Sequence, residues 1–161
     1  MRVSEFLQLD RKKDIQLIRA YNKILIEKYP WLKIKNYQDF DPYPEEYDWT
    51  WLDDMPEGWR IAFSEQMCKE IQEELERIDY VDKYRIVQVK EKYGGLCWYT
   101  DPVPVKSKLE YLKHKYENLS EDICIECGKP ATLISKGWVE PYCDDCAKKF
   151  NIVNYIPIKE N

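Results

Sequence analysis

Histidine is nearly absent from this chain, and its scarcity bears directly on catalysis. His114 is the only histidine among 161 residues, and its place between two lysines on a predicted helix favours a solvated position. The sequence therefore offers no suitable histidine for a catalytic set of nucleophile, histidine and carboxylate. Carboxylates are abundant, but the adjacent pairs Asp53-Asp54 and Asp144-Asp145 have no histidine or glycine beside them. Both pairs are better interpreted as helix-capping residues. We predict that the protein is not an enzyme.

Long apolar runs and an excess of basic charge are missing as well. No apolar run approaches the ~20 residues that cross a bilayer, and the N-terminal sequence lacks the apolar stretch of a signal peptide. The formal net charge is -5, whereas proteins that bind duplex nucleic acid need clustered lysine and arginine. We expect a cytoplasmic protein with reduced thiols, no membrane contact and little affinity for nucleic acid.

Apolar periodicity predicts three helices, and alternation predicts one hairpin. The helices are expected over residues 12–28, 59–78 and 107–119, where apolar side chains recur at helical spacing. Residues 85–93 and 96–100 are rich in β-formers, and the Gly-Gly pair between them permits the positive φ of a tight turn. The predicted fold class is α+β, with helices around a small antiparallel hairpin or sheet.

Two C-x-x-C pairs are the strongest chemical signal in the sequence. Cys124-Ile-Glu-Cys127 and Cys143-Asp-Asp-Cys146 are separated by fifteen residues, which is the spacing of a closed structural zinc site. A dithiol redox centre would need only one pair, and a catalytic zinc keeps one ligand position open for water. We therefore predict one structural Zn²⁺ that is bound by all four cysteines.

The residues around these cysteines indicate the type of zinc module. Gly128 follows the first pair and permits the tight turn of a zinc knuckle, and residues 132–140 fit a short hairpin that turns at Lys136-Gly137. The second pair stands at a predicted helix start, where the helix dipole and free amides favour thiolates. Knuckle, hairpin and helix in this order predict a treble-clef-like module. A zinc ribbon, with a second knuckle in place of the helix, is the alternative.

Two units are predicted along the chain. Residues 1–119 form an α+β domain, and residues 120–161 form the zinc module packed on it. Cys68 and Cys97 fall in the first unit, on a predicted helix and a predicted strand. Both are interpreted as small buried hydrophobic residues rather than as reactive thiols.

Residues 36–59 form an acidic aromatic segment within the first unit. They contain eight acids and seven aromatic residues but no lysine or arginine. Carboxylates interleaved with rings can imitate the charge of a nucleic acid, and such rings anchor protein interfaces. The alternative is a long loop whose rings pack on the core and whose acids are solvated. The candidate partner-binding residues are Tyr43, Tyr47, Trp49, Trp51, Asp53 and Asp54.

A small anion site is a second candidate, at the predicted hairpin turn. Lysines and glycine amides there could grip a phosphate while aromatic rings stack on a base. The sequence lacks the P-loop pattern G-x-x-x-x-G-K-[ST], and a plain hairpin turn is the alternative. The candidate residues are Lys90, Lys92, Tyr93, Gly94, Gly95 and Trp98.

Three motifs in a fixed order resemble those of small, uncharacterised phage and prophage zinc-binding proteins. They are Gly58-Trp-Arg-Ile-Ala-Phe63 at a helix start, the hairpin Lys90-Glu-Lys-Tyr-Gly-Gly-Leu96 followed by Trp98-Tyr99, and Gly137-Trp138 between the cysteine pairs. The resemblance covers residues 56–147. It implies a phage or prophage context rather than a mechanism.

These observations predict a non-enzymatic phage accessory protein that binds a host protein in the cytoplasm of the host cell. Its most specific form is an inhibitor of a bacterial defence system. Two alternatives stay open at this stage. One is a binding protein that sequesters a nucleotide signal, and the other is a zinc protein associated with nucleic acid.

Overall fold

The computed structural model describes residues 15–35 and 48–158 of the chain. Helices alternate with small antiparallel sheets, which confirms the predicted α+β class. The helices are α1 (Ile15–Lys28), α2 (Glu57–Arg77), α3 (Leu109–Glu121) and α4 (Asp144–Lys149), and the strands are β1 (Ile86–Lys92), β2 (Gly95–Thr100), β3 (Leu133–Ser135), β4 (Pro141–Tyr142) and β5 (Tyr155–Pro157). Two short 3-10 helices, Pro30–Leu32 and Trp51–Asp54, lie between α1 and α2 in the chain.

The core is organised around α2. Its buried side chains recur along one stripe, as an amphipathic helix requires. They include Trp59, Phe63, Met67, Cys68, Ile71 and Leu75. The burial of Cys68 confirms its interpretation as a small hydrophobic residue, whereas Cys97 on β2 is half-buried. Within the described parts of the chain, no helix combines the length and the apolar character needed to cross a bilayer.

Strands β1 and β2 form the predicted hairpin, with its turn one residue earlier than expected. Gly95 pairs with Lys92, so the two turn residues are Tyr93 and Gly94, with φ of 52° and 83°. Positive φ at both positions is typical of a type I′ turn, whose twist matches that of the flanking strands. The outer edge of β2 is covered by α3, because Leu96 N donates to Ser120 Oγ at 2.8 Å.

The carboxylate of Asp53 ties α1 to the segment before α2. Its Oδ2 accepts hydrogen bonds from Thr50 N at 2.7 Å, Thr50 Oγ1 at 3.1 Å and Asn22 Nδ2 at 2.9 Å. Thr50 and Asn22 are buried, so this carboxylate satisfies polar groups inside the core. Asp54 does not cap α2, because it ends the preceding 3-10 helix and Pro56 holds the N-cap position.

The second sheet has three antiparallel strands in the order β4–β3–β5. Strands β3 and β4 form the predicted hairpin, but β4 lies just beyond the predicted range of residues 132–140. Strand β5 was not predicted, because three residues are too few for an alternation signal and Pro157 argues against a strand. Its pairing with β3 makes it a strand, through Ser135 opposite Tyr155 and Ile134 opposite Ile156.

Helices α2 and α3 are joined by a buried carboxylate. Glu74 is only 5% exposed, and it accepts two hydrogen bonds of 2.7 Å from the guanidinium of Arg77. Its Oε1 also accepts from the backbone N–H of Lys108, the N-cap of α3, at 2.7 Å. The hydrogen bonds from Arg77 outweigh the opposing effect of burial, and with the Lys108 N–H they lower the pKa of Glu74 to about 2.

We predict that Glu74→Gln lowers the free energy of unfolding by about 2 kcal/mol near neutral pH, since charge-assisted hydrogen bonds are lost. The ionised carboxylate stabilises the fold above its ordinary pKa of 4.5, and this contribution disappears as the pH falls towards 2. Urea unfolding of both proteins between pH 7 and pH 3 should therefore show a difference that shrinks with acid. Any loss of bound metal with acid affects both proteins alike.

The matched control is Glu73→Gln, because Glu73 is exposed on the same helix and its nearest lysine nitrogen is 4.0 Å away. Surface pairs of this kind contribute about 0–1 kcal/mol. A Glu74→Gln difference that stays constant across the whole pH range would contradict the assigned role of the carboxylate.

Candidate metal centre and neighbouring surface

Four cysteine thiols converge at the C-terminal end of the protein. The Sγ atoms of Cys124, Cys127, Cys143 and Cys146 all lie within 4.8 Å of one another. The Cys127 and Cys143 sulfurs are 3.5 Å apart. Four thiolates at about 2.3 Å from one Zn²⁺ in a tetrahedron place the sulfurs about 3.8 Å from each other. The four predicted ligands therefore fit one metal ion of the size and preference of zinc.

The first pair lies on a knuckle-like turn. Gly128 N donates to the carbonyl of Cys124 at 3.0 Å, and Cys124 N donates to the carbonyl of Lys129 at 2.7 Å. Gly128 has a φ of 78°, which side chains rarely adopt, so a glycine is required there. Burial raises the pKa of the Cys127 thiol, and the backbone N–H of Lys129, which faces the thiol, opposes this effect only in part. The turn thus presents two sulfurs on one side.

The second pair lies at the start of α4. Cys143 occupies the N-cap position, and Cys146 N lies 3.5 Å from its sulfur. Burial opposes ionisation of Cys143, but the Cys146 N–H and the neighbouring thiols lower its pKa. Burial raises the pKa of Cys146, and the neighbouring cysteine thiols raise it further, so several thiolates in this cluster need a compensating positive charge. A bound dication would supply that compensation and permit all four thiolates.

The knuckle packs backbone against backbone on the start of α2. Gly58 N donates to the carbonyl of Ile125 at 2.8 Å, and Trp59 Nε1 donates to the carbonyl of Ile123 at 3.0 Å. A methyl group at Gly58 would lie 2.1 Å from the carbonyl oxygen of Cys124, and one at Gly128 would lie 2.7 Å from the carbonyl oxygen of Gly58. Only glycine at both positions permits this approach.

The predicted partner-binding residues that the structure describes do not share one exposed surface. Tyr43 and Tyr47 lie outside the described residues. Trp51 as a surface anchor is wrong, because its side chain is buried in the core. Trp49 is half-buried beneath the guanidinium of Arg19, whose carbon lies 5.9 Å from the ring centroid. The carboxylate of Asp53 accepts hydrogen bonds from Thr50 and Asn22 inside the fold. Asp54 is exposed.

The predicted anion site is also not formed. Gly94 N donates to Glu91 Oε1 at 2.7 Å, so a carboxylate already occupies the place of a phosphate oxygen. Gly95 belongs to β2 and pairs with Lys92. Trp98 is fully buried, and its Nε1 donates to the hydroxyl of Tyr84 at 3.1 Å. The Lys90 ammonium lies over the Tyr99 ring rather than beside the glycines, 5.6 Å from its centroid.

The structure instead presents two exposed aromatic residues on neighbouring hairpin turns. Tyr93 is 82% exposed at the β1–β2 turn, and Trp138 is 74% exposed at the β3–β4 turn. The turns touch, since a methyl group at Gly94 would lie 3.1 Å from the carbonyl oxygen of Val139. They enclose a groove of ≈ 370 Å³. We call this surface the twin-hairpin patch; its lining residues are Glu91, Lys92, Tyr93, Gly137, Trp138 and Val139.

The sequence predicts Tyr93 as part of the anion site, and it predicts no binding role for Trp138, which belongs to the Gly137-Trp138 motif. A usable signal was present for both residues. An aromatic side chain in a two-residue turn, or beside a turn glycine, points away from the strands and has little core to enter. Their common surface was not predictable, because the contact between the two hairpins is tertiary.

Comparison of the chain with protein-family models, curated proteins and solved structures finds no match. The role of the site therefore has to follow from its own residues.

We predict that the protein binds one Zn²⁺ through four thiolates. Replacement of the metal by Co²⁺ should give tetrahedral d–d bands and intense thiolate-to-metal charge transfer. Cys127→Ala should lose most of the affinity and the charge-transfer intensity of one thiolate, whereas Cys97→Ala should keep both, since Cys97 lies outside the cluster. Equal metal content in the two purified variants would argue against the assignment of the ligands.

We predict that Gly58→Ala lowers the free energy of unfolding by about 2–3 kcal/mol, because a methyl group collides with the knuckle backbone and overpacking is not relieved there. Zinc should also be lost to a chelator more readily. Gly137→Ala is the control: its φ of 88° is strained, but nothing lies within 4 Å of the added methyl. This control should cost about 1 kcal/mol. Urea unfolding and a chelator competition measure both effects, and equal losses in the two variants would contradict the packing argument.

Proposed function

We propose that this chain is a non-enzymatic accessory protein that binds a host protein, and that its metal is a structural Zn²⁺ in a treble-clef-like module. The order of elements supports the module: the knuckle of Cys124 and Cys127, the β3–β4 hairpin, and then Cys143 at the start of α4. A zinc ribbon would have a second knuckle where α4 stands. Four thiolates complete the tetrahedral shell, so the zinc has no position for a substrate.

The observation that carries the binding role is the pair of exposed rings in the twin-hairpin patch. Large aromatic side chains dominate the energetics of protein interfaces, because they bury much area at low entropic cost. Trp138 is held in place, since its Nε1 donates to Glu140 Oε1 at 2.8 Å. Glu140 is held in turn by the hydroxyl of Tyr142. A ring that is fixed in this way loses little conformational freedom when a partner binds.

The resemblance to phage and prophage proteins supports a host protein as the partner. The three motifs of that resemblance are neighbours in space. Gly58 and Trp59 contact the knuckle, and Gly94 contacts Val139 beside Trp138. The shared motifs thus form one unit that ends in the twin-hairpin patch. On this proposal the protein acts in the cytoplasm of the host cell, and inhibition of a bacterial defence system is its most specific form.

The two alternatives receive less support from the same residues. A nucleotide signal would need phosphate contacts, but Glu91 occupies the Gly94 amide. For a nucleic-acid partner the charge is unfavourable. Residues 120–158 carry six carboxylates against four lysines, and a Zn²⁺ bound by four thiolates adds about -2.

The test is affinity purification from bacterial lysate with the zinc-loaded protein as bait. We predict one dominant host protein that is lost with the double substitution Tyr93→Ala and Trp138→Ala. Tyr111→Ala is the control, because Tyr111 is an aromatic residue of α3 that is 67% exposed and lies outside the patch. Each bait is first shown to contain zinc and to unfold at the wild-type urea concentration. A partner that stays bound to the double variant would refute the role of this surface.

A further inference from the structure

We propose that the twin-hairpin patch recognises a positively charged, arginine-bearing segment of a partner protein. This inference rests on the proposed binding function and specifies the chemistry of what is bound. It follows from how the two exposed rings are accompanied by carboxylates.

Each exposed ring has a carboxylate fixed beside it. On the first turn, Glu91 Oε1 accepts the Gly94 N–H at 2.7 Å, next to Tyr93. On the second turn, Glu140 Oε1 accepts the Trp138 Nε1–H at 2.8 Å. An aromatic face with an adjacent carboxylate suits a guanidinium, which stacks on the ring and forms ionic hydrogen bonds in its own plane. The same pairing disfavours a phosphate or a carboxylate ligand.

The polar groups of the patch are already used inside the protein. The indole N–H of Trp138 is bonded to Glu140, so the ring offers its face rather than a hydrogen-bond donor. The Gly94 N–H is bonded to Glu91. Apart from the Lys92 ammonium, what remains for a ligand is the faces of the two rings and the charge of the carboxylates of Glu91 and Glu140, and an arginine side chain matches both.

A lysine of the protein itself already lies against one of the two exposed rings. The Lys92 ammonium lies 5.7 Å from the centroid of the Tyr93 ring. This contact is a weak intramolecular cation–π interaction, and a partner's arginine would compete with it. Lys92 is therefore predicted to oppose binding, both by occupying the ring and by its charge.

The second turn is rigid enough to act as a preformed site. The buried Ser135 hydroxyl donates to the carbonyl oxygen of Trp138 at 2.5 Å and accepts the Glu140 N–H at 3.0 Å. The Ser135 N–H also donates to the carbonyl of Glu140 at 2.9 Å. One buried hydroxyl thus fixes the backbone of the two residues that carry the ring and the carboxylate of this turn. Preorganisation of this kind reduces the entropic cost of binding.

The test is an NMR titration of the zinc-loaded ¹⁵N-labelled protein with three short peptides that differ at one residue type. The probes contain two arginines, two lysines or two citrullines between glycine and serine residues. Citrulline keeps the shape of arginine without its charge. We expect the arginine peptide to shift the Trp138 Nε1–H and the amides of Gly94 and Gly137. The lysine peptide should bind several-fold more weakly and the citrulline peptide about tenfold more weakly.

Protein variants separate the contributions. Trp138→Ala should weaken arginine-peptide binding about tenfold. Glu140→Gln should weaken it severalfold, because the amide oxygen can still accept the indole N–H while the charge is lost. Lys92→Gln should strengthen it. Glu73→Gln, which removes an exposed carboxylate on α2, should leave it unchanged.

Several results would overturn the inference. They are equal affinity for the arginine and citrulline peptides, shifts confined to other surfaces, an unchanged affinity in Trp138→Ala, or a single-stranded oligonucleotide that shifts the same resonances more strongly. If the host protein is still lost on substitution of the patch while the arginine peptide does not bind, the proposed function stands and only this inference fails.

Discussion

Convergence of four cysteine thiols on one point is the constraint on which the C-terminal part of this protein depends. The segment after α3 has short strands and a six-residue helix, and few of its side chains are large and buried. Structural zinc contributes on the order of 10 kcal/mol of binding free energy. A zinc ion bound by the four thiolates would therefore fix the knuckle, the β3–β4 hairpin and α4 relative to one another.

Two glycines bring the backbone of the cysteine-containing segment into contact with the rest of the protein. Gly58 begins the buried face of α2, and its amide bonds directly to the knuckle that carries Cys124 and Cys127. Because the two backbones are in contact, the position of the knuckle is transmitted to α2 without an intervening side chain. Gly94 makes the second connection, against Val139 of the β3–β4 turn. The cysteine cluster, the helical core and the twin-hairpin patch are therefore connected by direct backbone contacts, although no patch residue belongs to the cluster.

Sequence reasoning succeeded where the signal is local. Helical periodicity located α2, and the spacing of the cysteines identified the four thiols that converge. It failed where the structure depends on contacts between segments that are distant in the sequence. Strand β5 exists because β3 offers it a partner, and Trp51 is buried because α1 and Asp53 position its segment against the core. Composition alone cannot separate an aromatic ring that enters a core from one that faces water, so it did not distinguish the buried Trp51 from an exposed interface residue.

The backbone of Tyr93 supports the view that the patch serves binding rather than folding. Among the described residues, three other than glycine have a positive φ: Asp79, Tyr93 and Asn151. Aspartate and asparagine tolerate this conformation, whereas a bulky side chain there is strained by about 1–2 kcal/mol. Asparagine before glycine would form the same type I′ turn without that strain. The Tyr93 ring recovers little of this strain energy within the fold, because most of the ring faces solvent and contacts the exposed Lys92 ammonium. Strain that stability does not explain is typical of functional positions, and here it holds an aromatic ring at the edge of the groove opposite Trp138.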